Sequence, residues 1–296
     1  MIRRNRCAVP WLAAAIALIL VACGSSSPKP KGATNSTGPT TAVASGSAVD
    51  LTAGYRKAKW GANTTVTYAD GKLRFVSNGI PNHSRDAEYA LPNTGVMVPS
   101  AATAHAAADP TVAQSYDFSM PLTPKPAQQT TSTSLGVIGV MISGAALFNP
   151  YEGDGSTVAK QSNFSVKNAS GTAVSFLDAC NGHPTPVGQY HYHALPPCVT
   201  ATVDAKDGPS HIIGIAFDGY PIYGDRDSMG KQITAADLDA CNGITSATPE
   251  FPKGVYHYVM LDVADSSSSI RCFTGEVDSS FATAAMPGMR GPPPAR

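Results

Sequence analysis

The apolar residues of the chain fall in short runs that predict a structure built mainly from β-strands. Apolar and polar positions alternate over residues 64–68 and 73–75, on either side of Asp70-Gly71, two residues that tolerate the positive φ angles of a tight hairpin turn. Residues 135–142 and 211–217 are instead almost continuously apolar and rich in Val and Ile, which is typical of strands buried on both faces.

Helices are predicted to be few and short. Only residues 234–238 have a helical signature, with Thr234 as a candidate N-cap and Asp237 three positions later. Residues 101–133 are rich in Ala, Pro and Thr, and we expect them to cover the sheet as irregular structure. Residues 217–224 combine aromatic and turn-forming residues, which favours a structural corner, with the wall of a pocket as the alternative.

The composition narrows the possible classes of protein. Charged residues make up 14% of the chain, and 27 Gly and 24 Pro are typical of turn-rich β proteins rather than of amphipathic helices. The 21 basic and 21 acidic residues balance, and no basic stripe marks the sequence. We therefore expect no nucleic-acid partner.

The N-terminus has the features of an export signal. Arg3, Arg4 and Arg6 precede an apolar run over residues 11–21 that is too short to span a bilayer. The sequence Leu-Val-Ala-Cys at 20–23 resembles the bacterial lipobox, which implies that residues 1–22 are removed and that Cys23 is lipid-modified. An ordinary secretory signal that contains a cysteine is the alternative. Both interpretations predict export, and the first predicts a protein anchored by lipid to a membrane of the bacterial cell envelope.

Two segments outside the predicted domain are expected to be disordered. Residues 23–50 carry the modified cysteine and a tether of small and polar residues, which cannot bury enough apolar surface to offset the entropy of folding. Residues 284–296 form a Pro- and Gly-rich tail. The predicted domain is a single one, from 51 to 283.

A repeated motif indicates an internal duplication. Leu-Asp-Ala-Cys-Asn-Gly occurs at residues 177–182 and again at 238–243. Each copy is followed by Tyr-His-Tyr, at residues 190–192 and 256–258. The match predicts two half-domains of similar construction, with a facing arrangement as one possibility.

The four cysteines beyond Cys23 favour disulfides, because an exported chain meets an oxidising compartment. They are Cys180, Cys198, Cys241 and Cys272, and three pairings are possible. The repeat favours Cys180–Cys198 and Cys241–Cys272, since each half then holds one bridge. A zinc site is the alternative, although no Cys-x-x-Cys spacing occurs. The predicted fold is therefore mostly β, a disulfide-stabilised and sandwich-like domain with a duplicated motif.

The sequence Tyr-His-Tyr-His at 190–193 is the strongest chemical signal. Alternate residues of a strand share a face, so His191 and His193 can bind one metal ion while the tyrosines anchor the strand. Imidazoles with an oxygen ligand suit copper or zinc better than magnesium or calcium. The further candidate ligands are His183, His257, Asp178, Asp218 and Asp239. Asp178 and Asp239 could instead cap turns, and the histidines could be purely structural or act in metal-free acid–base catalysis.

These motifs together resemble the YHYH-domain family of bacterial proteins. The resemblance is carried by the Asp-Ala-Cys-Asn-Gly-His, Tyr-His-Tyr-His and Phe-Asp-Gly-Tyr-Pro-Ile-Tyr-Gly segments and by the second copy, and it covers residues 135–273. The family is named for its motif, so the resemblance implies little about function. It does imply a histidine after the second Tyr-His-Tyr, where this chain has Val259, and this argues against a second metal site.

Three hypotheses of function follow from these residues. The first is an envelope-anchored protein that binds copper or zinc through His191 and His193, completed by His183 and His257. The second is a metal-dependent extracytoplasmic enzyme, such as a hydrolase, with an open coordination position for water. The third is a metal-free module that binds glycan or protein through exposed tyrosines.

Overall fold

A sheet of eight strands carries both copies of the repeated motif. The structure, a computed structural model, describes residues 49–158 and 164–282. Its strands are β1 Thr64–Ala69, β2 Lys72–Ser77, β3 Glu88–Pro92, β4 Ala104–Ala108, β5 Tyr116–Pro121, β6 Pro126–Ser132, β7 Val137–Met141, β8 Ala146–Phe148, β9 Ser165–Lys167, β10 Ala173–Ser175, β11 Gly182–Pro184, β12 Tyr190–Tyr192, β13 Ile212–Ala216, β14 Pro221–Tyr223, β15 Gly243–Ser246, β16 Val255–Val259 and β17 Cys272–Gly275. The order in the large sheet is β11-β12-β8-β7-β13-β14-β16-β15.

The large sheet consists of two four-stranded halves with the same connectivity. In the first half, β7 and β8 form an antiparallel hairpin, β8 pairs in parallel with β12, and β12 pairs antiparallel with β11. In the second, β13, β14, β16 and β15 repeat these pairings in the same order. The halves meet where β7 pairs antiparallel with β13, so they lie side by side in one sheet rather than facing each other.

The core lies between this sheet and the three-stranded sheet β1-β2-β5. Every residue of β7 and β13 is buried, as their continuous apolar sequences predict. Across the core, the rings of Phe118 on β5 and Phe217 lie 5.0 Å apart. Asp70 and Gly71 both have positive φ in the predicted β1–β2 hairpin. The mostly β, sandwich-like fold is therefore confirmed.

The expectation of irregular structure over residues 101–133 is wrong. This segment contains β4, β5 and β6, which pair with β3, β2 and β17 respectively. In β5 the buried residues Tyr116, Phe118 and Met120 alternate with more exposed ones, a period-two pattern that the sequence shows. The strands β4 and β6 are rich in Ala, Gln and Thr, and their pairing with distant partners outweighs their weak local preference.

The helices are few and short, as predicted, but the three α-helices lie outside the segment for which a helix was predicted. They are α1 Thr52–Tyr55, α2 Pro197–Val203 and α3 Ser279–Ala282, together with a single 3₁₀ turn at Ala235–Asp237. That turn starts at the predicted cap, where the Asp237 carboxylate accepts hydrogen bonds from the backbone N–H and the hydroxyl of Thr234. The helix α2 contains several β-branched residues, which hide it in the sequence. It begins with a proline and is held by the disulfide of Cys198.

The predicted disulfide pairing is confirmed. Cys180 is joined to Cys198 and Cys241 to Cys272, with Cα–Cα distances of 5.2 and 4.7 Å. Each bridge closes one half of the repeat and contributes about 3–4 kcal/mol to stability through loop closure.

The expected signal (1–22), Cys23, the tether up to residue 48 and the tail 284–296 lie outside the described residues. Within residues 49–158 and 164–282, no helix is long and apolar enough to cross a membrane.

Candidate metal centre

The strand β12 separates its tyrosines from the histidines of the same motif. The rings of Tyr190 and Tyr192 are completely buried and lie 5.4 Å apart. The rings of His191 and His193 lie 4.6 Å apart. This is the arrangement expected from the alternation of side chains along a strand.

His183 completes a cluster of three imidazoles. In the antiparallel pairing of β11 with β12, His183 lies directly opposite His191. The ring of His183 is 4.4 Å from that of His191 and 5.4 Å from that of His193. One ring nitrogen from each residue can be chosen so that all three lie within 4.8 Å of one another. We call His183, His191 and His193 the histidine triad.

The backbone fixes the tautomers of two triad residues. His191 Nδ1 donates a hydrogen bond to the carbonyl of Gln189, and His193 Nδ1 donates one to the carbonyl of Asn149. A carbonyl only accepts, so the proton must be on Nδ1 and each Nε2 keeps a free lone pair. Metal-binding histidines in proteins are oriented in this way.

Several nitrogens of the triad are buried without a partner. Three of these nitrogens have no hydrogen-bond partner among the described residues. They are both ring nitrogens of His183 and the Nε2 of His193. All three side chains are at most 5% exposed. A buried polar atom that makes no hydrogen bond costs about 1–3 kcal/mol, so orphaned lone pairs in one place point to a ligand.

The triad is electrically neutral at neutral pH. Burial lowers the pKa of all three imidazoles, and the neighbouring rings lower those of His183 and His191 further. The pKa of His193 falls to about 4, because desolvation outweighs its hydrogen bond to Asn149. Uncharged imidazole is the form that binds metal ions.

A cavity of about 250 Å³ adjoins the triad. Apolar side chains make up most of its remaining wall, and they come from several loops and strands: Val96, Met97, Leu135, Phe148 and Phe176. Phe148 stacks on His191 with 3.9 Å between ring centroids. Met97 is 59% exposed, so the cavity reaches the surface. The triad can therefore receive a small molecule from solvent.

The cavity also contains a carboxylate, Glu152, that sequence reasoning missed. Its Oε1 is buried and has no hydrogen-bond partner among the described residues. Burial, and then the negative charge of Asp154, raise the pKa of Glu152 to about 7. The surrounding sequence, Tyr-Glu-Gly-Asp-Gly, is that of an ordinary surface turn, and no spacing in it indicates a site.

Two of the three aspartates named as candidate ligands anchor turns. Asp178 accepts hydrogen bonds from the backbone N–H of Cys180 and from the Tyr190 hydroxyl. Asp239 does the same with Cys241 and Tyr256. These contacts are those of an Asx turn, the alternative to a ligand role, and the structure does not bring either carboxylate into the triad.

The third aspartate, Asp218, is at a structural corner rather than at the triad. It lies in the turn between β13 and β14, and its carboxylate accepts hydrogen bonds from the hydroxyl of Tyr258 and the N–H of Gly275. The segment 217–224 is thus a corner of the sheet, as predicted.

His257 also lies away from the triad. Four strands separate β12 from β16, which places His257 roughly 24 Å away at about 4.8 Å per strand step. Its Nδ1 donates to the carbonyl of Val255, as that of His191 does to Gln189. His257 is therefore the structural equivalent of His191 in the other half, and the structure does not make it a fourth ligand.

The second half has an apolar cluster where the first has histidines. Ile244 lies opposite His257 on β15, as His183 lies opposite His191, and Val259 takes the position of His193. Ile244 and Val259 belong to a separate hydrophobic cluster of the second half. The second half thus has one imidazole, that of His257, at the three positions where the first half has the triad.

A second group of candidate donors lies on the tyrosine side of β12. His83 Nδ1 is 3.3 Å from Cys180 Sγ, and its Nε2 is hydrogen-bonded to the hydroxyl of Tyr192. Cys180 and Cys198 are joined in a disulfide, so they lack the thiolates that bind metals. We do not consider this group a metal site.

The tyrosines of the two motifs do not form an exposed binding surface. Tyr190, Tyr192 and Tyr258 are completely buried, and Tyr256 is hydrogen-bonded to Asp239. The hypothesis of a module that binds glycan or protein through exposed tyrosines is therefore wrong for these residues.

Comparison with known families supports the motif-based assignment. A family model described as "YHYH protein" matches residues 117–232 and 227–275, which together span more than half of the chain. Searches of curated proteins and of solved structures found no match.

Proposed function

The chain belongs to the YHYH protein family, and from the chemistry of its histidine triad we propose that it binds one transition-metal ion, copper or zinc. One observation carries the proposal: three buried, neutral imidazoles converge, and several of their nitrogens have no other partner among the described residues. Neutral imidazole is a preferred ligand of both metals, whereas magnesium and calcium prefer oxygen.

The distances in the triad are compatible with a single tetrahedral ion. Zinc–imidazole bonds are about 2.0–2.1 Å long, so nitrogens around a tetrahedral ion lie roughly 3.4 Å apart. The donor nitrogens of the triad already lie within 4.8 Å of one another. Small rotations of buried rings would bring them to bonding distance.

The second candidate function is metal-dependent catalysis, and the cavity favours it. Three protein ligands leave one position of a tetrahedral ion open, which is the arrangement of catalytic rather than structural zinc. That open position would face a cavity of about 250 Å³, large enough for a small substrate. A site for storage alone does not need this space.

We further propose that the protein acts in the cell envelope, anchored by lipid at Cys23. The lipobox-like sequence at 20–23 supports this location, and so do two disulfides, which form in oxidising compartments.

The test compares two equivalent histidines. The purified, exported protein is stripped with a chelator and titrated with zinc and, separately, with copper, and bound metal is measured by elemental analysis. We expect about one equivalent in the wild type and its loss in His191→Gln, because Gln removes one donor of the triad. His257→Gln is the matched control and should keep one equivalent, since His257 has the same burial and the same backbone hydrogen bond.

Two results would contradict the proposal. One is less than about half an equivalent of either metal in the folded wild-type protein. The other is equal loss of metal in the two variants, which would mean that binding does not depend on the triad.

A further inference from the structure

Glu152 has the position of a reacting group rather than of a structural one. It lines the same cavity as His183, His191 and His193. The other side chains that line this cavity include no further acidic or basic residue. None of the ion pairs among the described residues involves Glu152. A carboxylate oxygen that is buried without a hydrogen bond among the described residues is costly, so the position of Glu152 Oε1 calls for a role in the cavity.

The second half of the sheet shows what this carboxylate would do if it were structural. The turn after β14 corresponds to the turn after β8, which is one residue longer: Asp227 N–H donates to Lys231 O, and Glu152 N–H donates to Thr157 O. The carboxylate of Asp227 closes its own turn by accepting the backbone N–H groups of Met229 and Lys231. In the second half, therefore, the equivalent carboxylate accepts backbone hydrogen bonds within its own turn.

In the first half a different residue closes the turn. Asp154 accepts the backbone N–H groups of Ser156 and Thr157 and the hydroxyl of Thr157. Glu152 is thus released from the turn, and its Oε1 remains buried without a partner in the described part of the chain. This contrast between two equivalent turns assigns Glu152 to the cavity.

Glu152 lines the cavity but does not belong to the donor set of the triad. Its carboxylate is not within 4.8 Å of all three donor nitrogens, as a member of the same donor set would be. A carboxylate in the same cavity that is not itself a ligand acts on the open position through water.

Resting on the proposed function, we propose that Glu152 is the proton acceptor of this cavity. A water molecule between its carboxylate and the triad loses a proton to Glu152, and the electron pair of the broken O–H bond stays on the water oxygen. That oxygen forms a bond to the carbonyl carbon of a small, apolar ester. The bond from this carbon to the alkoxide or phenoxide oxygen then breaks, its electron pair stays on the leaving oxygen, and the proton on Glu152 passes to that oxygen to give the alcohol or phenol and the carboxylic acid. The apolar lining by residues such as Leu135 and Phe148 selects an uncharged substrate.

The pKa of the Glu152 carboxyl group agrees with this role. Its pKa, raised to about 7 by burial and by Asp154, is close to the value at which a carboxylate both accepts and returns a proton at neutral pH.

The experiment compares the wild type with Glu152→Gln and with the matched control Asp227→Asn. Each protein is loaded with Co²⁺, whose visible absorption reports binding, and is then titrated with acetohydroxamic acid. This small probe gives up a proton when it binds a metal ion. We expect similar cobalt affinities in all three proteins. Acetohydroxamate should bind about tenfold or more weakly to Glu152→Gln alone, because its proton has lost an acceptor.

Hydrolysis of 4-nitrophenyl acetate by the zinc-loaded proteins is the second measurement. We expect kcat/KM to fall about 10²- to 10⁴-fold in Glu152→Gln and to be unchanged in Asp227→Asn. An inactive wild type would overturn the ester as substrate, and the hydroxamate measurement would still decide the role of Glu152.

The outcomes separate the two proposals. If Glu152→Gln binds acetohydroxamate as tightly as the wild type, Glu152 is not the proton acceptor. If Glu152→Gln no longer binds cobalt, Glu152 is a ligand and the proton-transfer role is overturned. If folded wild-type protein does not bind cobalt, zinc or copper, the metal-binding function itself fails.

Discussion

Replacing Asp218 with Asn should change how the stability of the protein depends on pH. Asp218 is completely buried between β13 and β14, and its carboxylate accepts hydrogen bonds from Tyr258, Tyr220 and Gly275. Burial raises the pKa of Asp218 from 3.8 to about 6, even though these hydrogen bonds favour the charged form. The carboxyl group therefore keeps its proton in the folded state at a pH where the unfolded chain has lost it.

The size and sign of the effect follow from this difference. Between pH 3.8 and about 6 the folded state binds the extra proton, so the contribution of Asp218 to the free energy of unfolding decreases as the pH rises. The contribution is fully present below pH 3.8 and is lost above about 6. Since one pKa unit corresponds to about 1.4 kcal/mol, the total change is roughly 3 kcal/mol. Asn cannot ionise, so this dependence should be absent in the variant.

Urea denaturation followed by circular dichroism measures the effect at several pH values between 4 and 7.5. The informative quantity is the unfolding free energy of the wild type minus that of Asp218→Asn, because other titrating groups, including the buried histidines, cancel in the difference. We expect this quantity to fall by about 2–3 kcal/mol from the acidic to the neutral end of the series, since the series starts just above pH 3.8.

A second variant guards against an effect peculiar to Asn. Ser143 occupies the equivalent corner of the first half, where it is hydrogen-bonded to Tyr192 as Asp218 is to Tyr258. Asp218→Ser should therefore show the same missing pH dependence as Asp218→Asn. A difference from the wild type that stays constant across the pH series would refute the argument that burial dominates the ionisation of Asp218.

Two further predictions test the relation between the halves. Gly182→Ala should destabilise the protein by about 1–3 kcal/mol in urea denaturation, because a Cβ at this position would collide with the hydroxyl of Tyr190; a smaller loss would mean that the ring can move aside. The double substitution Ile244→His with Val259→His should create a triad with His257, raising bound zinc from one to two equivalents by elemental analysis. A folded double variant that still binds one equivalent would contradict the equivalence of the halves.

Much of the fold could be predicted because its signals are local. The β1–β2 hairpin follows from Asp70-Gly71, and the buried strands β7 and β13 follow from uninterrupted apolar sequence. The repeat predicted both the duplication and the disulfide pairing. The strands β4 and β6 could not be found in this way, because Ala, Gln and Thr acquire strand structure there through partners far away in the sequence.

The candidate site could be predicted in part, and most directly where its residues share one strand. His191 and His193 follow from alternation, but the choice of further ligands depends on sheet order. His183 lies opposite His191 because β11 pairs with β12, whereas His257 is on a strand of the other half. The similarity of the two Tyr-His-Tyr segments suggested that His257 lies close to His191. Duplicated elements, however, occupy equivalent positions in the two halves of the sheet, not adjacent ones. Glu152 could not be predicted at all. Its carboxylate is available to the cavity only because another carboxylate, that of Asp154, accepts the hydrogen bonds of the turn.

The comparison of the halves separates what the scaffold needs from what the site needs. Both halves keep the aspartate that anchors a tyrosine hydroxyl, shown by Asp178 with Tyr190 and Asp239 with Tyr256, so this contact belongs to the fold. Both also keep one disulfide. The first half alone, within the described residues, combines three histidines with a cavity, and part of the wall of that cavity comes from segments outside the repeat, such as Met97.

The same comparison argues that the triad is not a packing device. Where the second half needs only a packed interior, Ile244 and Val259 fill the positions of His183 and His193 and join an apolar cluster. Apolar side chains thus satisfy the scaffold at these positions without the cost of burying unpartnered nitrogens. The retention of three neutral imidazoles, and of a Glu152 whose Oε1 has no partner among the described residues, beside one cavity is therefore explained by what the cavity binds, not by the stability of the sheet.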